Sequence, residues 1–436
     1  MTDPRSAASA DDAIADGSAE TALPALTRRD LLAGAVGTLG GAVLAGLPVA
    51  IGAQPADAPA RPVVPADATK LQGAPTSPLG ERSPFETPTR GPTGATTGSS
   101  LTPLQDLTGT ITPSDLHFER HHAGIPALDP ERHSLTIHGL VERPLTFSLA
   151  DIKRFPQVVR THFIECSANG RAAFRAPKAE MTAQQVAGMI STTEFTGVTL
   201  ATLFRECGVK PEAKWFLAEG GDACVMTRSV PIEKAWDDAL IVWAQNGEPL
   251  RPAQGYPLRL VLPGWEGNIN IKWVRRLELG TLPWMTRWET SKYTDPLPNR
   301  TARRFTFECD VKSIITTPTV SDAVSTRGWH TVSGLAWSGR GRVRRVEVSV
   351  DGGASWTEAQ LLGEPQSKAT IRFQHMWEFT GRESVLLSRA TDDAGYTQPT
   401  RTEIIAARGI GTDYHFNPVV GWKVAADGTV TFHGET

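Results

Sequence analysis

Cysteine is scarce in this sequence of 436 residues, which contains only Cys166, Cys207, Cys224 and Cys309. No two of them form a C-x-x-C pair, and the C-x-x-C-H signature of covalent haem attachment is missing, which predicts no haem in this chain. Their spacing requires no disulfide. Four isolated thiols suit either inert, buried positions or one cysteine with a chemical role.

The sequence also lacks an excess of charge of either sign, because 44 basic residues nearly balance 47 acidic ones. The formal net charge of -3 creates no overall field that would attract nucleic acid or an anionic membrane, so neither is expected as a partner. Any anion must therefore be bound by a local cluster of cations. One candidate is the segment FERHHAGIP, which sets Arg120 beside His121 and His122.

Histidine is rare as well, with 10 in the whole chain, so this segment has three interpretations: metal ligation, anion binding, or a polar surface turn. Neighbouring side chains of an extended segment point to opposite sides, so His121 and His122 cannot both face one metal. His122 alone could also be a core histidine whose hydrogen bonds are satisfied.

Long apolar runs are missing except near the N terminus. There, Arg28 and Arg29 precede a weakly hydrophobic, glycine-rich run that ends near Pro48, a pattern typical of a Tat export signal at 1–53. A retained membrane anchor is the alternative. Export predicts a periplasmic protein without a membrane span in its mature form. Because the Tat pathway carries folded proteins, it also favours a cofactor that is inserted before export.

The next segments divide into a linker and a mixed domain. Residues 54–105 are rich in Pro, Ala and Thr and are predicted to form a linker. Residues 106–298 alternate between strand-like and helix-like patterns, which predicts one α+β domain. For example, HSLTIHGL reads as a strand that ends at Gly139, and SLADIKRF as a helix with Ser148 as its N-cap. VTLATLFRECGV has apolar residues at helical spacing and reads as a helix that ends at Gly208.

The character of the chain changes in residues 299–436. Short alternating segments such as VRRVEVSVDGGASW follow one another at regular spacing, with turns at Asp351-Gly352 and near Gly395. This pattern predicts an immunoglobulin-like β-sandwich without an inter-sheet disulfide. The aromatic segment GIGTDYHFNPVVGWKV is expected to pack back onto the body of the protein.

The segment HFIECSANGR places a thiol at the end of a strand-like run. Cys166 opens a turn that contains Asn169 and Gly170. Three roles remain open from these residues. The thiol could be a nucleophile, which needs a base and a group that orients the base. It could be a small buried hydrophobe, the commonest fate of a free cysteine. It could also be a thiolate ligand to a soft metal centre whose other ligands come from a cofactor.

Five segments, in this order, resemble the motifs of the sulfite oxidase family of molybdenum enzymes: FERHH, ECSANGR, AEGGDA, QGYPLRLVLPGWEGNINIKW and RWETSKYTD. The later segment AWSGRGRVRRVEVSVDGGASW resembles the dimerisation domain of that family. The resemblance implies an α+β fold, with a molybdopterin-binding domain followed by an immunoglobulin-like β-sandwich dimerisation domain.

In this resemblance Cys166 matches the thiolate that ligates molybdenum, while the pyranopterin cofactor, molybdopterin, supplies two further sulfur ligands. The implied cofactor-binding set is Phe118, Arg120, His121, His122, Cys166, Asp222, Gln254, Arg259, Asn270 and Lys272. Arg259 and Lys272 suit the phosphate in which the pterin ends. Two positions depart from the family pattern, because His121 replaces the usual Asn and Gln254 replaces the usual His.

The resemblance also implies a clamp for an oxyanion substrate. The residues that match the anion-binding positions of the family are Arg120, Arg171, Tyr293 and Arg408. Guanidinium groups suit tetrahedral oxyanions. Gln185 stands where the family often has an aromatic residue, which predicts a wider or more polar pocket. The alternatives are that Arg120 and Arg171 are ordinary surface cations and that Tyr293 is a core aromatic.

Within the family, three segments together are most similar to the SoxC branch, the sulfane dehydrogenases of thiosulfate oxidation: HFERHHAGIPALDPERHSLTIHGLV, RFPQVVRTHFIECSANGR and ETSKYTD. This implies oxidation of a sulfane sulfur held on a carrier protein, with oxygen from water and electrons passing to a c-type cytochrome similar to SoxD. It also implies a homodimer formed through the C-terminal domain. The alternatives are a periplasmic sulfite dehydrogenase that oxidises free sulfite, and a metal-free exported binding protein on the same fold.

Overall fold

The structure, a computed structural model, describes Lys70, Gly73, residues 75–297 and residues 299–436. The predicted export signal at 1–53 lies outside the described residues. In the part of the chain that is described, no helix combines the length and the apolar character needed to cross a membrane.

Among the described residues, the helices and strands all lie within the compact unit Gly80–Thr436. The strands of its first part are β1 Gly91–Gly94, β2 Gly98–Leu101, β3 Glu119–His121, β4 Ser134–Gly139, β5 Leu145–Ser148, β6 Val158–Glu165, β7 Ile190–Thr199, β8 Trp215–Gly220, β9 Thr227–Pro231, β10 Leu240–Gln245, β11 Glu248–Pro249, β12 Arg259–Val261, β13 Val274–Gly280, β14 Asp295–Pro296 and β15 Ala302–Arg303. The α-helices here are α1 Leu149–Ile152, α2 Arg171–Arg175, α3 Ala183–Ala187, α4 Leu200–Cys207, α5 Ile232–Asp237 and α6 Arg287–Thr290. Short 3-10 helices span Leu104–Asp106 and Pro252–Gln254. This mixture confirms the predicted α+β class.

Two five-stranded sheets form the frame of this first part. One has the order β5-β4-β13-β8-β9, and the other has the order β11-β10-β7-β6 with β12 paired to β10. Both sheets and α4 contribute to one buried core, for example through Ile137, Leu203, Phe216 and Ile241. Each large apolar side chain buried in this way contributes about 1.5–3 kcal/mol, which holds the sheets together and sets the loops between their strands.

Several predicted elements are confirmed. The strand in HSLTIHGL is β4, which ends at Gly139. Ser148 caps α1, because its side chain accepts a hydrogen bond from the Asp151 N–H while the Asp151 carboxylate accepts one from the Ser148 N–H. Gly208 ends α4 with a φ of 68°, the left-handed conformation in which glycine commonly terminates a helix.

The segment at 91–101 differs from the predicted linker. β1 and β2 form a hairpin, and β2 pairs with β3 to make a three-stranded sheet. The sequences GPTG and GSSL lack the alternation of apolar and polar residues by which strands are recognised. The turn is tight, because a Cβ on Gly98 would lie 2.2 Å from the Thr93 carbonyl oxygen. Backbone pairing therefore orders a segment whose composition indicates a loop.

The last part of the chain forms the predicted β-sandwich. Its strands are β16 Lys312–Thr317, β17 Gly328–Trp337, β18 Val343–Ser349, β19 Thr357–Glu358, β20 Gln360–Leu362, β21 Ile371–Phe379, β22 Ser384–Asp392, β23 Val420–Val424 and β24 Val430–His433, and helix α7 spans Arg401–Arg408. One sheet has the order β16-β17-β21-β20, and the other has the order β19-β18-β22-β23-β24. Phe373 and Trp422 are fully buried, one from each sheet. All four cysteines of the chain are free thiols.

The C-terminal segment packs back as predicted, because β23 and β24 complete the five-stranded sheet. The sandwich also joins the first part of the chain through a buried polar cluster around Glu165, the last residue of β6. The Glu165 carboxylate accepts hydrogen bonds from Lys312 Nζ (3.1 Å), Trp337 Nε1 (2.7 Å) and Asn169 Nδ2 (2.9 Å). This cluster anchors the turn that follows β6 to the second part of the chain.

Candidate active site

Cys166 directly follows β6 and opens the turn that leads to α2. Its backbone N–H donates to the Met189 carbonyl (3.0 Å), and its own carbonyl accepts from the Asn169 N–H (2.9 Å). Gly170 closes the turn with a φ of 96°, which favours glycine. The Cys166 side chain is buried, and burial raises the pKa of its thiol. A coordinated cation has the opposite effect, because a thiol that binds a metal loses its proton.

Cys166 lines a cavity with about 660 Å³ of empty space, part of which is open to solvent. The predicted site residues that line the same cavity are Phe118, Arg120, His121, His122, Asp222, Gln254, Arg259, Asn270, Lys272 and Tyr293. These residues lie far apart in the sequence, and the loops at the edges of the two sheets bring them to one place. The arrangement therefore surrounds one space with a thiol, several cations and a phenol.

Two cations, buried Arg259 and partly buried Lys272, face this cavity. Arg259 donates from Nη1 to the main-chain oxygen and to Oε1 of Gln254, both at 3.1 Å, while its buried Nε has no hydrogen-bond partner among the described residues. Burial lowers the pKa of Arg259 to about 9. Burial, together with the nearby Arg259 charge, lowers the pKa of Lys272 well below its usual value. A bound anion would stabilise both charges and pair the free N–H, so this end of the cavity suits a phosphate.

His121, which departs from the family pattern, connects a carboxylate to the Lys272 ammonium. Its Nδ1 lies 2.9 Å from Lys272 Nζ, and its Nε2 lies 2.9 Å from Oε2 of Glu119. An ammonium can only donate and a carboxylate can only accept, so Nδ1 is the acceptor and Nε2 carries the hydrogen. Burial lowers the pKa of His121, which agrees with a neutral ring. Lys272 also donates to the carbonyls of Arg120 (3.2 Å) and Ala253 (3.1 Å), so His121 is one of three acceptors that hold it.

His122 and Tyr293 form a second pair at the cavity wall. His122 Nε2 and the Tyr293 hydroxyl share a hydrogen bond of 2.7 Å, and the His122 ring packs against Trp288 at a centroid distance of 4.8 Å. Burial lowers the pKa of His122 to about 4 and raises the pKa of Tyr293. Both groups are therefore neutral near pH 7, and the pair presents a polar but uncharged surface to the cavity.

Two of the predicted anion-binding residues, Arg171 and Arg408, do not line this cavity in the described structure. Arg171 is about half exposed, and its Nη1 lies 3.4 Å from Oδ1 of Asp413. Arg408 donates from Nη2 to the His415 carbonyl (2.6 Å). Gln185 is also outside the cavity wall, because its side chain caps the N terminus of α3. Local partners thus hold these side chains, and Arg120 and Tyr293 are the predicted substrate ligands that reach the cavity.

Arg228 is a candidate that the sequence analysis did not single out. It lies in β9 and is almost fully buried, with its guanidinium carbon 5.3 Å from the centre of the Tyr293 ring. Its Nη1 donates to the side-chain oxygen of Asn268, and its Nε lies 3.7 Å from Oε1 of Glu289. A buried arginine needs such partners, because an unpaired buried charge is strongly unfavourable. A cation within a strand of buried residues was therefore the signal that could have identified it.

A layer of polar side chains lies behind the thiol. The Asn268 amide nitrogen donates to the hydroxyl of Ser167 (3.0 Å) and to Oε2 of Glu266 (2.6 Å). The other Glu266 oxygen lies 2.6 Å from Nε2 of His415. Burial raises the pKa of Glu266 to about 8 and lowers the pKa of His415 to about 3. The layer is therefore largely neutral, and it fixes the residue that follows Cys166.

Among the described residues, no three His, Cys, Asp or Glu side chains are grouped so that they could hold a metal ion. A metal at Cys166 would therefore take most of its ligands from a cofactor, as the molybdopterin enzymes do. A soft thiolate suits such a centre.

Comparisons with known proteins agree with this arrangement. Residues 122–288 match the family described as oxidoreductase molybdopterin binding domain, and residues 303–422 match the Mo-co oxidoreductase dimerisation domain. Mitochondrial sulfite oxidase from Mus musculus is 30% identical over 327 residues, which are 69% of this chain and 60% of that protein. Sulfite oxidase from Gallus gallus is 31% identical over 314 residues, which are 66% of this chain and 68% of that protein.

The chain thus contains a molybdopterin-binding oxidoreductase domain followed by the dimerisation domain of such proteins, and it belongs to the sulfite oxidase family. It spans about 60% of the length of the mouse relative. Among solved structures, it is similar to the sulfane dehydrogenase SoxCD from Paracoccus pantotrophus, with 43% identity and a TM-score of 0.82. That match covers 85% of this chain and 97% of the solved chain.

Family membership implies a molybdenum–molybdopterin cofactor, and the residues of the cavity fit it. The unpaired Nε of Arg259 suits the pterin phosphate, and so does Lys272, whose positive charge is destabilised by burial and would be stabilised by an anion. The buried thiol of Cys166 suits the metal. Asp222, Gln254 and the other polar residues of the wall would then contact the pterin, as the resemblance implies.

We expect Glu119→Gln to lower stability by an amount that depends on pH. The hydrogen bond from His121, with help from the charge of Arg90, lowers the pKa of Glu119 to about 2. A carboxyl with a lowered pKa in the folded state contributes stability above its unfolded pKa, and this is lost as pH falls through the folded pKa. The difference in unfolding free energy should be roughly 1–3 kcal/mol at pH 7 and should shrink between about pH 4.5 and 2. Urea unfolding at several pH values measures it, and a difference independent of pH would contradict the assignment.

Proposed function

We propose that this protein is a molybdenum-dependent sulfane dehydrogenase, which oxidises a sulfane sulfur carried on another protein. The observation that carries the proposal is the similarity to the sulfane dehydrogenase SoxCD, which extends over nearly all of that solved chain. The cavity lined by Cys166, Arg120 and Tyr293 supports it, because a thiol, a cation and a hydrogen-bonding phenol surround one space.

The cofactor, when bound, supplies an acceptor for two electrons and a site for oxygen derived from water. Cys166 would hold the metal as a thiolate. Arg120 would attract the negative charge that develops on the oxidised sulfur, and a preorganised cation near that charge stabilises the transition state. The neutral pair of Tyr293 and His122 would orient the substrate by hydrogen bonds. Each oxygen atom added to sulfur releases two electrons and two protons.

The electrons would pass to a c-type cytochrome similar to SoxD. The name of the solved structure, SoxCD, supports a two-part enzyme of this kind. The match of residues 303–422 to a dimerisation domain supports a homodimer formed through the β-sandwich. The carrier protein that presents the sulfane sulfur is the third proposed partner. Export through the Tat signal would place these reactions in the periplasm.

Oxidation of free sulfite is the second candidate function. The sulfite oxidases of mouse and chicken are relatives of this chain. Arg120, the cation proposed to bind the oxidised sulfur, could bind the sulfite anion at the same place in the cavity wall. The two functions differ in the size of the substrate. A sulfur on a carrier protein brings binding energy from contacts remote from the reacting atom, whereas free sulfite does not.

We expect the holoenzyme to reduce cytochrome c rapidly with a sulfane-loaded carrier protein and at least about 10-fold more slowly with free sulfite, because free sulfite lacks the remote contacts. Stopped-flow absorbance of the cytochrome haem gives both values of kcat/KM. The carrier without its sulfane sulfur is the control and should reduce nothing. Rapid turnover of sulfite with the cytochrome alone would instead support the sulfite dehydrogenase.

The molybdenum content of the same preparations distinguishes the enzyme interpretation from that of a metal-free binding protein. Elemental analysis of the purified protein, matured in a host that makes molybdopterin, should give about one molybdenum per chain. A fully matured protein without molybdenum would overturn the enzyme proposal. It would support the third interpretation, an exported binding protein on this fold.

A further inference from the structure

The hairpin at 91–101, within the segment predicted as a linker, pairs with β3, the strand that supplies cavity residues. We call residues 90–101 the arm hairpin. Its second strand, β2, pairs with β3 so that Gly98 lies opposite His121 and Ser100 lies opposite Glu119. The backbone position of each β3 residue is therefore set by a hydrogen-bonded partner in the arm.

The arm hairpin also contacts the residues on the substrate side. Arg120 donates from Nη1 to the Gly98 carbonyl (3.3 Å), and the Thr97 hydroxyl donates to the His122 carbonyl (2.7 Å). The guanidinium that reaches the cavity is thus held on its outer side by a main-chain oxygen of the arm.

The strongest connection runs through Glu119. Arg90 Nη1 lies 3.2 Å from Oε1 of Glu119, the Ser100 hydroxyl donates to the same oxygen (3.1 Å), and His121 Nε2 donates to Oε2 (2.9 Å). The Glu119 side chain is only 11% exposed, so its charge is shielded little by water. Two donors from the arm and one from β3 therefore fix both oxygens of a carboxylate.

This carboxylate determines which nitrogen of His121 is free to accept. Because Glu119 takes the Nε2 hydrogen, Nδ1 carries the lone pair, and this lone pair accepts from Lys272 Nζ (2.9 Å). Without Glu119 the ring could adopt the other tautomer, and Nδ1–H would then face an ammonium that has no acceptor atom.

We propose that the arm hairpin is a positioning element of the active site. Arg90 and Ser100 hold Glu119, Glu119 fixes the tautomer of His121, and His121 orients the Lys272 ammonium toward the cofactor cavity. The inference rests on the proposed function, because Lys272 has this task only if the cavity holds the anionic cofactor. It assigns a role to a segment whose composition indicates a linker and to the histidine that departs from the family.

The experiment compares cofactor retention in the full-length holoenzyme and in three variants. Arg90→Ala removes the cation of the arm, Arg90→Lys restores a cation at the same place, and Arg82→Ala is the matched control. Arg82 lies shortly before the arm hairpin and pairs with an acid, Asp115, at 2.6 Å, but both side chains are well exposed. The readouts are molybdenum content and pterin fluorescence after gel filtration at increasing dilution.

We expect Arg90→Ala to lose the cofactor faster than the wild type, by up to about 10-fold. Removal of a direct outer partner of a metal ligand costs at least that much, and Arg90 acts further out, through Glu119 and His121. Arg90→Lys should recover most of the retention, and Arg82→Ala should behave as the wild type. A second variant, Ser100→Ala, should act in the same direction as Arg90→Ala. Thermal unfolding of the cofactor-free proteins shows whether a variant has lost stability in general. If the effect is on cofactor binding, the cofactor-free Arg90→Ala and Arg90→Lys variants should unfold at similar temperatures although their cofactor retention differs.

Unchanged retention in both Arg90→Ala and Ser100→Ala would overturn the inference while leaving the proposed function intact. Faster loss that Arg90→Lys does not repair would also overturn it, because a role in packing alone predicts that result. A wild-type protein without molybdenum would overturn the proposed function and the inference together. The molybdenum content of the wild type thus distinguishes the two failures.

Discussion

Cys166→Ser is expected to abolish oxidation while leaving the fold intact. Serine has nearly the same shape as cysteine, so the turn between β6 and α2 can keep its backbone hydrogen bonds to Met189 and Asn169. A hydroxyl is a hard, weakly acidic group, and it does not replace a thiolate on a soft metal centre. We expect turnover to fall by at least about 1,000-fold, because the change removes a direct metal ligand rather than an outer contact.

The measurement combines steady-state turnover, molybdenum analysis and the far-ultraviolet circular dichroism spectrum. Cys207→Ser is the matched control, since Cys207 is buried in α4 and does not line the cavity. That variant should keep its molybdenum and most of its turnover. Near-normal turnover in Cys166→Ser would refute the ligand role and return Cys166 to the interpretation as a small buried hydrophobe.

Lys312→Met is expected to destabilise the protein by about 3–5 kcal/mol, because it removes one partner of a buried ion pair and leaves the other charged. Lys312 and Glu165 are both buried, and their closest charged atoms are 3.1 Å apart. Lys312 Nζ also donates to the Asn169 carbonyl (3.1 Å), within the turn that follows Cys166. The loss should therefore weaken both the junction with the β-sandwich and the support of the metal ligand.

Denaturant unfolding of the two variants Lys312→Met and Lys423→Met tests this. Lys423 pairs with Glu383 at 2.9 Å, but both side chains are exposed, so that variant should change the unfolding free energy by no more than about 0.5 kcal/mol. A loss of unfolding free energy below about 1 kcal/mol in Lys312→Met would contradict this expectation. It would show that Trp337 and Asn169, the two remaining donors, satisfy the Glu165 carboxylate without the lysine.

Local patterns predicted the elements that depend on nearby residues. The end of β4 at Gly139, the capping of α1 by Ser148 and the end of α4 at Gly208 follow from turn and cap chemistry within a few positions. The β-sandwich was predictable for a similar reason, because its alternating strands and glycine-containing turns follow one another at short spacing. The arm hairpin was not predictable, because its strands lack an alternating pattern and its second strand, β2, pairs with β3 from a later segment of the chain.

The candidate site shows the same division. From the ordered motifs, the sequence analysis assigned a thiol, cations and a phenol to one site, and most of these side chains line one cavity in the structure. Arg228 was missed because a buried guanidinium is recognised by its partners, and these lie 40 or more positions away in Asn268 and Glu289. The position of Arg171 outside the cavity depends in the same way on a long-range contact, because Arg171 pairs with Asp413.

The sequence by itself determined the chemistry of this protein: a cysteine placed at the end of a strand, ordered motifs of the sulfite oxidase family, and a second domain of short alternating strands. These features depend on residue type and on close spacing. The tertiary structure alone decided which cations reach the cavity, what His121 does, and that the N-terminal arm supports the site. Those outcomes depend on hydrogen bonds and ion pairs between distant segments, and such contacts exist only after the chain has folded.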